Sequence, residues 1–491
     1  MRRRILNINA MLSYMLAAFG LPAVSAQTKT AAIADRIFRA GASISNITPM
    51  LGEPIVGNFN EPPAENIHDD LHARCLVLDD GTTRLAIILL DNVGVDQAVL
   101  DEAKNLIYKK TGLPKHHVLI ASVHDHSATS AGGRGMKRRG WQFGKPLDEY
   151  QTFLIRRIAD GVQVAINHLE PARIGWGTGK VPQHLFNRRY RMKSPVMNPF
   201  GGWDAVKMNP GVGNPDVVEP AGGTDPEVSF ISVQSTAGRP IALLANYSLH
   251  YVGGVPANDI SGDYFAVFAD RVQQLLQADR QDPPFVGIMS NGTSGDVNNI
   301  DVIGGDAKRY PPYAKMRIVA DDVAKEVLRV YKNIKHKDWV KLQAVQSDLP
   351  LKVRRATPEM LANIAKVIAR ADTAKPLYHP LEKIYAARVL QMEQEWPNEI
   401  NIPLQAFRIG DLGIAAVPFE VFTKTGLDIK AKSPFKPTFT IEIANGYYGY
   451  LPTPDQHKLG GYETWLSTNR VEVDASEKIV KELMSLFSTL K

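Results

Sequence analysis

Two histidines at the end of a short apolar segment are the residues of this chain best suited to chemistry. The segment, residues 117–127, contains the apolar run 118–120, which predicts a buried β-strand because it is too short for a helix. It ends in His124 and His126, and residues two apart in an extended chain point to the same side, so both rings can face one site. Ligands usually bind at such strand ends in α/β sheets. Surface histidines in a loop are the alternative interpretation.

Three further candidate donors, His250, Glu420 and Tyr450, also follow apolar segments. Histidine and carboxylate groups are ligands for zinc, and a catalytic zinc site keeps one position open for water. Spacing alone cannot bring such distant positions together, so isolated loop residues remain the alternative. The chain has no His-Glu-x-x-His helix, which excludes that class of metalloprotease. The single cysteine, Cys75, excludes an intrachain disulfide and a zinc site built from several cysteines.

The apolar patterns around these residues predict alternating strands and helices, which favours an α/β fold. Asp263 is the predicted N-cap of one helix. The predicted hairpins are 74–78 with 84–90, 228–233 with 241–246, and 404–409 with 414–417, and further strands are 285–289 and 439–443. The other predicted helices are 99–108, 150–169, 316–332 and 476–488, and residues 358–394 are predicted to be helical with a break at Pro376 and Pro380. No repeat or low-complexity linker interrupts them, so we expect one large domain with mixed β-sheet layers flanked by helices.

Two segments are predicted to be functional loops. Residues 175–225 are rich in Gly, Pro, Asn and Arg and are too long for a simple connector. Residues 290–299 follow a buried strand with a Gly-, Ser- and Asn-rich turn, which is typical of an active-site loop. Within it, Ser294 lies in a turn one residue short of the Gly-x-Ser-x-Gly elbow, so a serine hydrolase is a second hypothesis.

Composition indicates a globular protein and excludes several classes. The 491 residues are 44% hydrophobic and 22% charged, which does not suggest disorder, collagen or a coiled coil. No run of Lys or Arg resembles a nucleic-acid patch, so we expect no nucleic-acid partner. Peripheral contact with a membrane surface is left open, and the oligomeric state is unknown.

The first 26 residues are predicted to be a signal peptide. Arg2, Arg3 and Arg4 precede an apolar stretch, and small residues up to Ala26 suit a signal peptidase. An uncleaved anchor is the alternative. Cleavage would take the formal charge from +6 to +3 by removing the three arginines. We therefore expect an exported protein, periplasmic or secreted, whose mature domain spans residues 27–491.

Six short segments occur in an order that matches one enzyme family. They are His124-Asp125-His126-Ser127-Ala128-Thr129, Asn187-Arg188-Arg189-Tyr190, Asn246-Tyr247-Ser248-Leu249-His250, Pro418-Phe419-Glu420, Asn445-Gly446-Tyr447-Tyr448-Gly449-Tyr450 and Tyr462-Glu463. With these motifs the chain resembles the catalytic domain of neutral/alkaline (non-lysosomal) ceramidases, particularly the short bacterial branch. Those enzymes use zinc to hydrolyse the amide of N-acylsphingosine, a sphingolipid. The resemblance spans roughly residues 40–470.

The resemblance implies a role for eight residues. Its zinc ligands fall on His124, His250, Glu420 and Tyr450. Its catalytic residues fall on His126, Arg188, Tyr462 and Asn298. The resemblance also implies a mechanism in which zinc-activated water attacks the amide and His126 carries a proton. Tyr462 and Arg188 would stabilise the oxyanion.

Two departures from the family bear on the substrate. The family's Gly-Asp-Val-Ser-Pro-Asn serine is Asn298 here, which puts ceramide itself in doubt. The family's C-terminal immunoglobulin-like domain is not expected, because the chain ends at Lys491. The expected activity is a zinc-dependent amidohydrolase acting on a small-molecule or lipid substrate. An ester, lactone or glycosidic substrate and a non-catalytic lipid- or glycan-binding homologue are the alternatives.

Overall fold

The structure is a computed structural model that describes residues 36–57, 59–129, 131, 146–305 and 309–491. The predicted signal peptide, residues 1–26, lies outside the described residues, so cleavage and export stay predictions. Residues Ile37–Lys491 form one compact unit. In the described part of the chain, no helix is both long enough and apolar enough to span a membrane.

Strands and helices alternate along the chain and confirm the predicted α/β class. The helices are α1 Gln97–Thr111, α2 Glu149–Asn167, α3 Asp263–Leu275, α4 Ala314–Tyr331, α5 Pro358–Ile368, α6 Glu382–Glu395, α7 Thr423–Lys432, α8 Pro454–Leu459 and α9 Ala475–Thr489. The strands are β1 Arg39–Asn46, β2 Asn66–Ile67, β3 His72–Asp79, β4 Arg84–Leu90, β5 Val118–Ser122, β6 Glu170–Lys180, β7 Phe186–Asn187, β8 Arg189–Met197, β9 Trp203–Met208, β10 Val217–Pro220, β11 Glu227–Ser235, β12 Pro240–Tyr247, β13 Asp259–Ile260, β14 Val286–Asn291, β15 Val297–Asn298, β16 Leu342–Lys352, β17 Glu399–Ile409, β18 Leu412–Val417, β19 Glu420–Val421, β20 Thr438–Glu442 and β21 Tyr450–Leu451. The three predicted hairpins are present as β3–β4, β11–β12 and β17–β18.

Two mixed sheets form the framework. The larger has the strand order β14-β12-β11-β6-β1-β3-β4-β5, and the smaller has the order β16-β17-β18-β20. In the large sheet the β12–β14 and β4–β5 pairs are parallel, and the others are antiparallel. Parallel neighbours end at the same edge of a sheet, so the turns after these pairs can meet there.

Side chains buried on both faces explain the unbroken apolar runs of the large sheet. Ile87 and Ile88 of β4 are both fully buried but belong to different hydrophobic clusters, because successive side chains point to opposite faces. Ile88 shares its cluster with Leu100 of α1 and Ile158 of α2. Ile87 shares its cluster with residues of α3, α4 and the smaller sheet. The large sheet is therefore a middle layer.

Strand β20 links two distant parts of the large sheet. The Asn246 side chain in β12 donates to the Thr440 carbonyl in β20 at 3.0 Å. The N–H of Ser122, at the end of β5, donates to the Ile443 carbonyl just after β20 at 3.2 Å. Since β12 and β5 lie near opposite ends of the strand order, the sheet must curl around β20. The segments that follow β5 and β12 are thereby brought together.

The prediction of one long loop over residues 175–225 is wrong. Strands β6 to β10 occupy much of this segment. A Cβ atom on Gly177 would lie 2.7 Å from Val330, and one on Gly179 would lie 2.5 Å from Glu326, both on α4. Alternate glycines therefore let α4 pack directly on β6. Composition alone cannot distinguish this packing from a loop.

The prediction that Asp263 is an N-cap is also wrong by one residue. Gly262 is the N-cap of α3, and Asp263 is the first helical residue, with φ at 52°. Its carboxylate accepts the N–H groups of Val252 and Gly253 at 3.2 and 2.7 Å. The same carboxylate also accepts the N–H of Tyr264 at 2.5 Å, so it ties the chain after His250 to the start of α3.

We predict that Gly287→Ala destabilises the protein. A Cβ atom on Gly287 in β14 would lie 2.4 Å from the carbonyl oxygen of Ala269 and 2.7 Å from its Cα, so α3 must move away from the sheet. Overpacking of this kind costs about 1–3 kcal/mol of unfolding free energy, which chemical denaturation measures. Gly223→Ala is the control, because its Cβ would meet nothing within 4 Å. Equal stability of the two variants would contradict the packing argument.

Candidate metal centre

His124 lies at the end of β5 in a left-handed backbone conformation, with φ at 70°. Its N–H donates to the Asn92 carbonyl at 3.0 Å, and its Nδ1 lies 2.6 Å from the Val93 carbonyl oxygen. A carbonyl only accepts, so Nδ1 carries a proton, and Nε2 faces His126 and Glu420. The sequence predicts an extended chain at His124, and the left-handed conformation shows that this is not the case. Contacts with the segment after β4 orient the ring instead.

Three imidazoles converge beside this position. The Nε2 atoms of His124 and His126 are 3.2 Å apart, and the nearest donor atoms of His124, His126 and His250 lie within 4.8 Å of one another. His250 follows β12 and is 1% exposed. Burial, then the nearby positive charges of His124 and Arg188, hold the pKa of His250 well below its ordinary value. A neutral ring is the form that binds a metal.

Glu420 completes the cluster with a carboxylate. Its Oε2 lies 3.3 Å from Nε2 of His124 and 3.8 Å from Nε2 of His250, and its Oε1 accepts the Tyr447 hydroxyl at 2.6 Å. Burial opposes its ionisation, but His124, Arg188 and the Tyr447 hydroxyl together outweigh burial and leave the pKa of Glu420 below its ordinary value. The carboxylate is therefore ionised. Tyr447 was missed from sequence, although it lies in the tyrosine-rich motif.

Backbone pairing brings Tyr450 next to Glu420. Strands β19 and β21 are parallel neighbours in which Glu420 pairs with Tyr450. The Arg188 guanidinium lies 5.1 Å from the centroid of the Tyr450 ring, and the Tyr462 ring centroid is 5.8 Å from it. Burial raises the pKa of Tyr450 well above its ordinary value, and Arg188 opposes that rise. In the absence of a cation the hydroxyl is protonated.

Arg188 is fixed by a buried carboxylate. Its Nε donates to Glu463 at 2.8 Å, and the neighbouring Arg189 donates to the other oxygen of Glu463 at 2.6 Å. Burial opposes the charge of Arg188, but the neighbouring Tyr450 and Glu463 raise its pKa above the ordinary value. Its Nη2 atom is buried without a hydrogen-bond partner in the described structure. One donor of a fixed cation is thus left for a ligand.

Five of the eight predicted site residues line one cavity of about 180 Å³. These are His124, His126, Glu420, Tyr450 and Tyr462. His250 and Arg188 contact this group but are not among the lining residues. Asn298 does not line the cavity either. Its Nδ2 donates to Asn209 at 2.5 Å and its Oδ1 accepts the Ile300 N–H at 2.9 Å, so its catalytic role stays a prediction.

Ser294 and Glu442 lie behind the candidate ligands; sequence reasoning named Ser294 only as a candidate nucleophile and did not find Glu442. The Ser294 hydroxyl donates to Glu442 at 2.6 Å and lies 3.2 Å from Nδ1 of His250. Glu442 also accepts the backbone N–H groups of Ser294 and Val421 at 3.2 and 2.7 Å. Ser294 is fully buried and is absent from the cavity lining, which argues against it as a nucleophile. The arrangement instead orients the His250 ring.

We predict that Ser294→Ala weakens metal binding without removing the catalytic machinery. Partners that orient a ligating histidine are worth roughly ten- to a hundredfold in metal affinity, which competition with a chromophoric chelator measures. Ser290→Ala is the matched control, because Ser290 is also buried in this segment, but its hydroxyl donates to the Ala245 carbonyl and accepts from the Asn246 side chain. Hydrolysis by Ser294→Ala should return at saturating zinc. Persistent inactivity of metal-loaded Ser294→Ala would instead support the serine-hydrolase alternative.

Comparison with known proteins identifies the family. A family model described as neutral/alkaline non-lysosomal ceramidase, N-terminal, matches residues 38–307, more than half of the chain. The structure is similar to that of the neutral ceramidase from Pseudomonas aeruginosa, with 17% identity and a TM-score of 0.68. It is also similar to a ceramidase complexed with C2, with 16% identity and a TM-score of 0.70. Each likeness covers 93% of this chain and 75% of the other, and at such identities it concerns the fold. On the family match, this chain belongs to the neutral/alkaline non-lysosomal ceramidases.

Proposed function

We propose that this member of the family is a zinc-dependent hydrolase that cleaves the amide bond of an N-acylated lipid or small molecule. The observation that carries the proposal is the convergence of His124, His126, His250 and Glu420, three of which line the cavity. The amide substrate is proposed because the chain belongs to the ceramidase family.

The donor set fits a metal ion. Nε2 of His250 and Oε2 of Glu420 are buried without a hydrogen-bond partner in the described structure, and they lie 3.8 Å apart. Buried polar atoms normally have partners, and a cation would satisfy both. Neutral imidazoles with a carboxylate are the nitrogen and oxygen ligands of zinc. His124, His250, Glu420 and Tyr450 would hold the ion.

The remaining groups have separate tasks. Bound zinc would supply Lewis acidity toward a carbonyl and lower the pKa of water. His126 is only partly buried and stacks on Tyr251 with ring centroids 3.9 Å apart, so it can exchange protons while its ring stays oriented. Burial raises the pKa of Tyr462, so its hydroxyl remains a donor toward a developing oxyanion. Arg188 adds a fixed positive charge behind Tyr450.

We predict about one zinc per purified chain, the content expected of a single three- or four-ligand site. Metal analysis of the protein and of His124→Ala and Glu420→Ala measures it, and both variants should lose the ion. Chelation should abolish hydrolysis of an N-acyl amide, and added zinc should restore it. Full zinc retention by both variants would refute the site. Hydrolysis of esters but not amides in a matched panel would refute the proposed bond.

His126→Ala separates two roles for this histidine. If His126 carries a proton, the variant should lose turnover by about a hundred- to ten-thousandfold while its zinc content stays the same. The His126 ring also lies at ligand distance in the cluster, so loss of zinc from this variant would make it a ligand instead. Measuring zinc and turnover on the same sample decides between these roles.

We predict that Tyr462→Phe lowers kcat by roughly a hundred- to a thousandfold, the usual cost of one oxyanion donor, and leaves zinc content unchanged. Steady-state kinetics with metal analysis measures both quantities. Tyr378→Phe is the control, because that hydroxyl bonds Asn363 and does not line the cavity. Equal kcat in the two variants would remove Tyr462 from the reaction.

A further inference from the structure

Helix α6 contributes a cationic group to the cavity wall that the proposed mechanism does not use. Arg388 lines the cavity, and its guanidinium carbon lies 5.6 Å from the Phe59 ring centroid and 5.6 Å from that of Tyr385. Within the described residues, no carboxylate forms an ion pair with it. Arg388 is also not among the eight residues to which the resemblance gives a role.

The other arginines near the cavity are engaged differently. Arg188 is paired with Glu463, and Nε of Arg470 donates to the Ser467 carbonyl at 3.1 Å while its guanidinium lies 5.2 Å from the Trp396 ring. The acidic lining residues are Glu420, which belongs to the metal cluster, and Asp96, the N-cap of α1. Among these cations, Arg388 is the one whose contacts within the described residues are with aromatic rings alone.

Arg388 lies close to the proposed reaction centre. The Phe59 ring that it covers is 6.3 Å from the Tyr462 ring. Burial and the Glu420 charge raise the pKa of Tyr462, and the charges of Arg188 and Arg388 oppose that rise. Arg388, Phe59 and Tyr462 are thus successive neighbours in the cavity lining, so an anion bound by Arg388 would lie on the same side of the cavity as a carbonyl held at Tyr462.

A half-buried guanidinium between rings is ordered and partly desolvated. A substrate that fills the cavity removes further water from the guanidinium. A neutral substrate then leaves a charge without a partner, whereas a carboxylate forms a charge-assisted, bidentate hydrogen bond. The cavity should discriminate between these two kinds of substrate.

We propose that Arg388 selects amides whose amine part carries an anionic group beside the scissile bond, as in N-acyl amino acids, over amides of neutral amino alcohols. This inference rests on the proposed amide hydrolysis. The apolar lining residues Phe59, Met392 and Trp396 fit the acyl chain of such a molecule.

The probes are N-octanoylglycine and N-octanoylethanolamine, which differ by a carboxylate in place of a hydroxymethyl group. Calorimetry on metal-stripped protein measures their binding, because a carboxylate could otherwise bind the zinc itself. The glycine conjugate should bind about tenfold or more tightly, the worth of one charge-assisted hydrogen bond. Arg388→Met should abolish this difference, Arg388→Lys should keep part of it, and Arg388→Gln is a second neutral variant should Arg388→Met fold poorly.

Arg191→Met is the matched control. Arg191 is 45% exposed on β8 and does not line the cavity, so the preference should persist in this variant. Equal binding of both probes to the unaltered protein, or an unchanged preference in both neutral Arg388 variants, would overturn the inference.

Turnover by the zinc-loaded protein separates the two proposals. The kcat/KM should favour N-octanoylglycine, and Arg388→Met should reverse or remove that preference. If N-octanoylethanolamine is hydrolysed as well as N-octanoylglycine, amide hydrolysis stands and the role of Arg388 falls. If neither probe is hydrolysed while the glycine conjugate still binds through Arg388, amide hydrolysis falls and the anion site stands.

Discussion

The site depends on the hydrogen bonds that the buried Glu442 side chain accepts. This side chain lies at the end of β20, fully buried, and accepts the Ser294 hydroxyl and the N–H groups of Ser294 and Val421. Burial raises its pKa well above the ordinary value, and these donors offset only part of that desolvation cost. Ser294 adjoins His250 in space, and Val421 follows Glu420 in sequence. One side chain therefore sets the separation of two candidate ligands.

The sequence predicted the local elements well because hydrophobic periodicity is a local property. Strand β5, helix α1 and the hairpin of β3 with β4 lie where the apolar patterns put them. The same patterns found the ends of apolar segments at which His124 and His250 lie. Their convergence was beyond reach, because it depends on the position of β20 between β5 and β12. The resemblance to a family supplied that missing step.

The remaining differences also have physical causes. Glycines in β6 were interpreted as a loop because their function, close contact with α4, is visible only when the helix is present. Tyr447 and Glu442 were missed because a hydrogen bond to a candidate ligand leaves no spacing signature. Asn298 lies at a position where the family has a serine, yet both ends of its side chain bond Asn209 and Ile300. A sequence motif gives the position of a residue, but its hydrogen bonds in the folded protein decide whether its side chain is available to a substrate.

The candidate ligands come from four segments that are distant along the chain, and this has a consequence for how the protein matures. Loop closure on this scale is slow, and no local fragment holds the complete donor set. An ion bound at the cluster would favour the folded state alone and would stabilise it by mass action. The supply of free metal during folding would then help to determine how long a newly made chain escapes proteolysis.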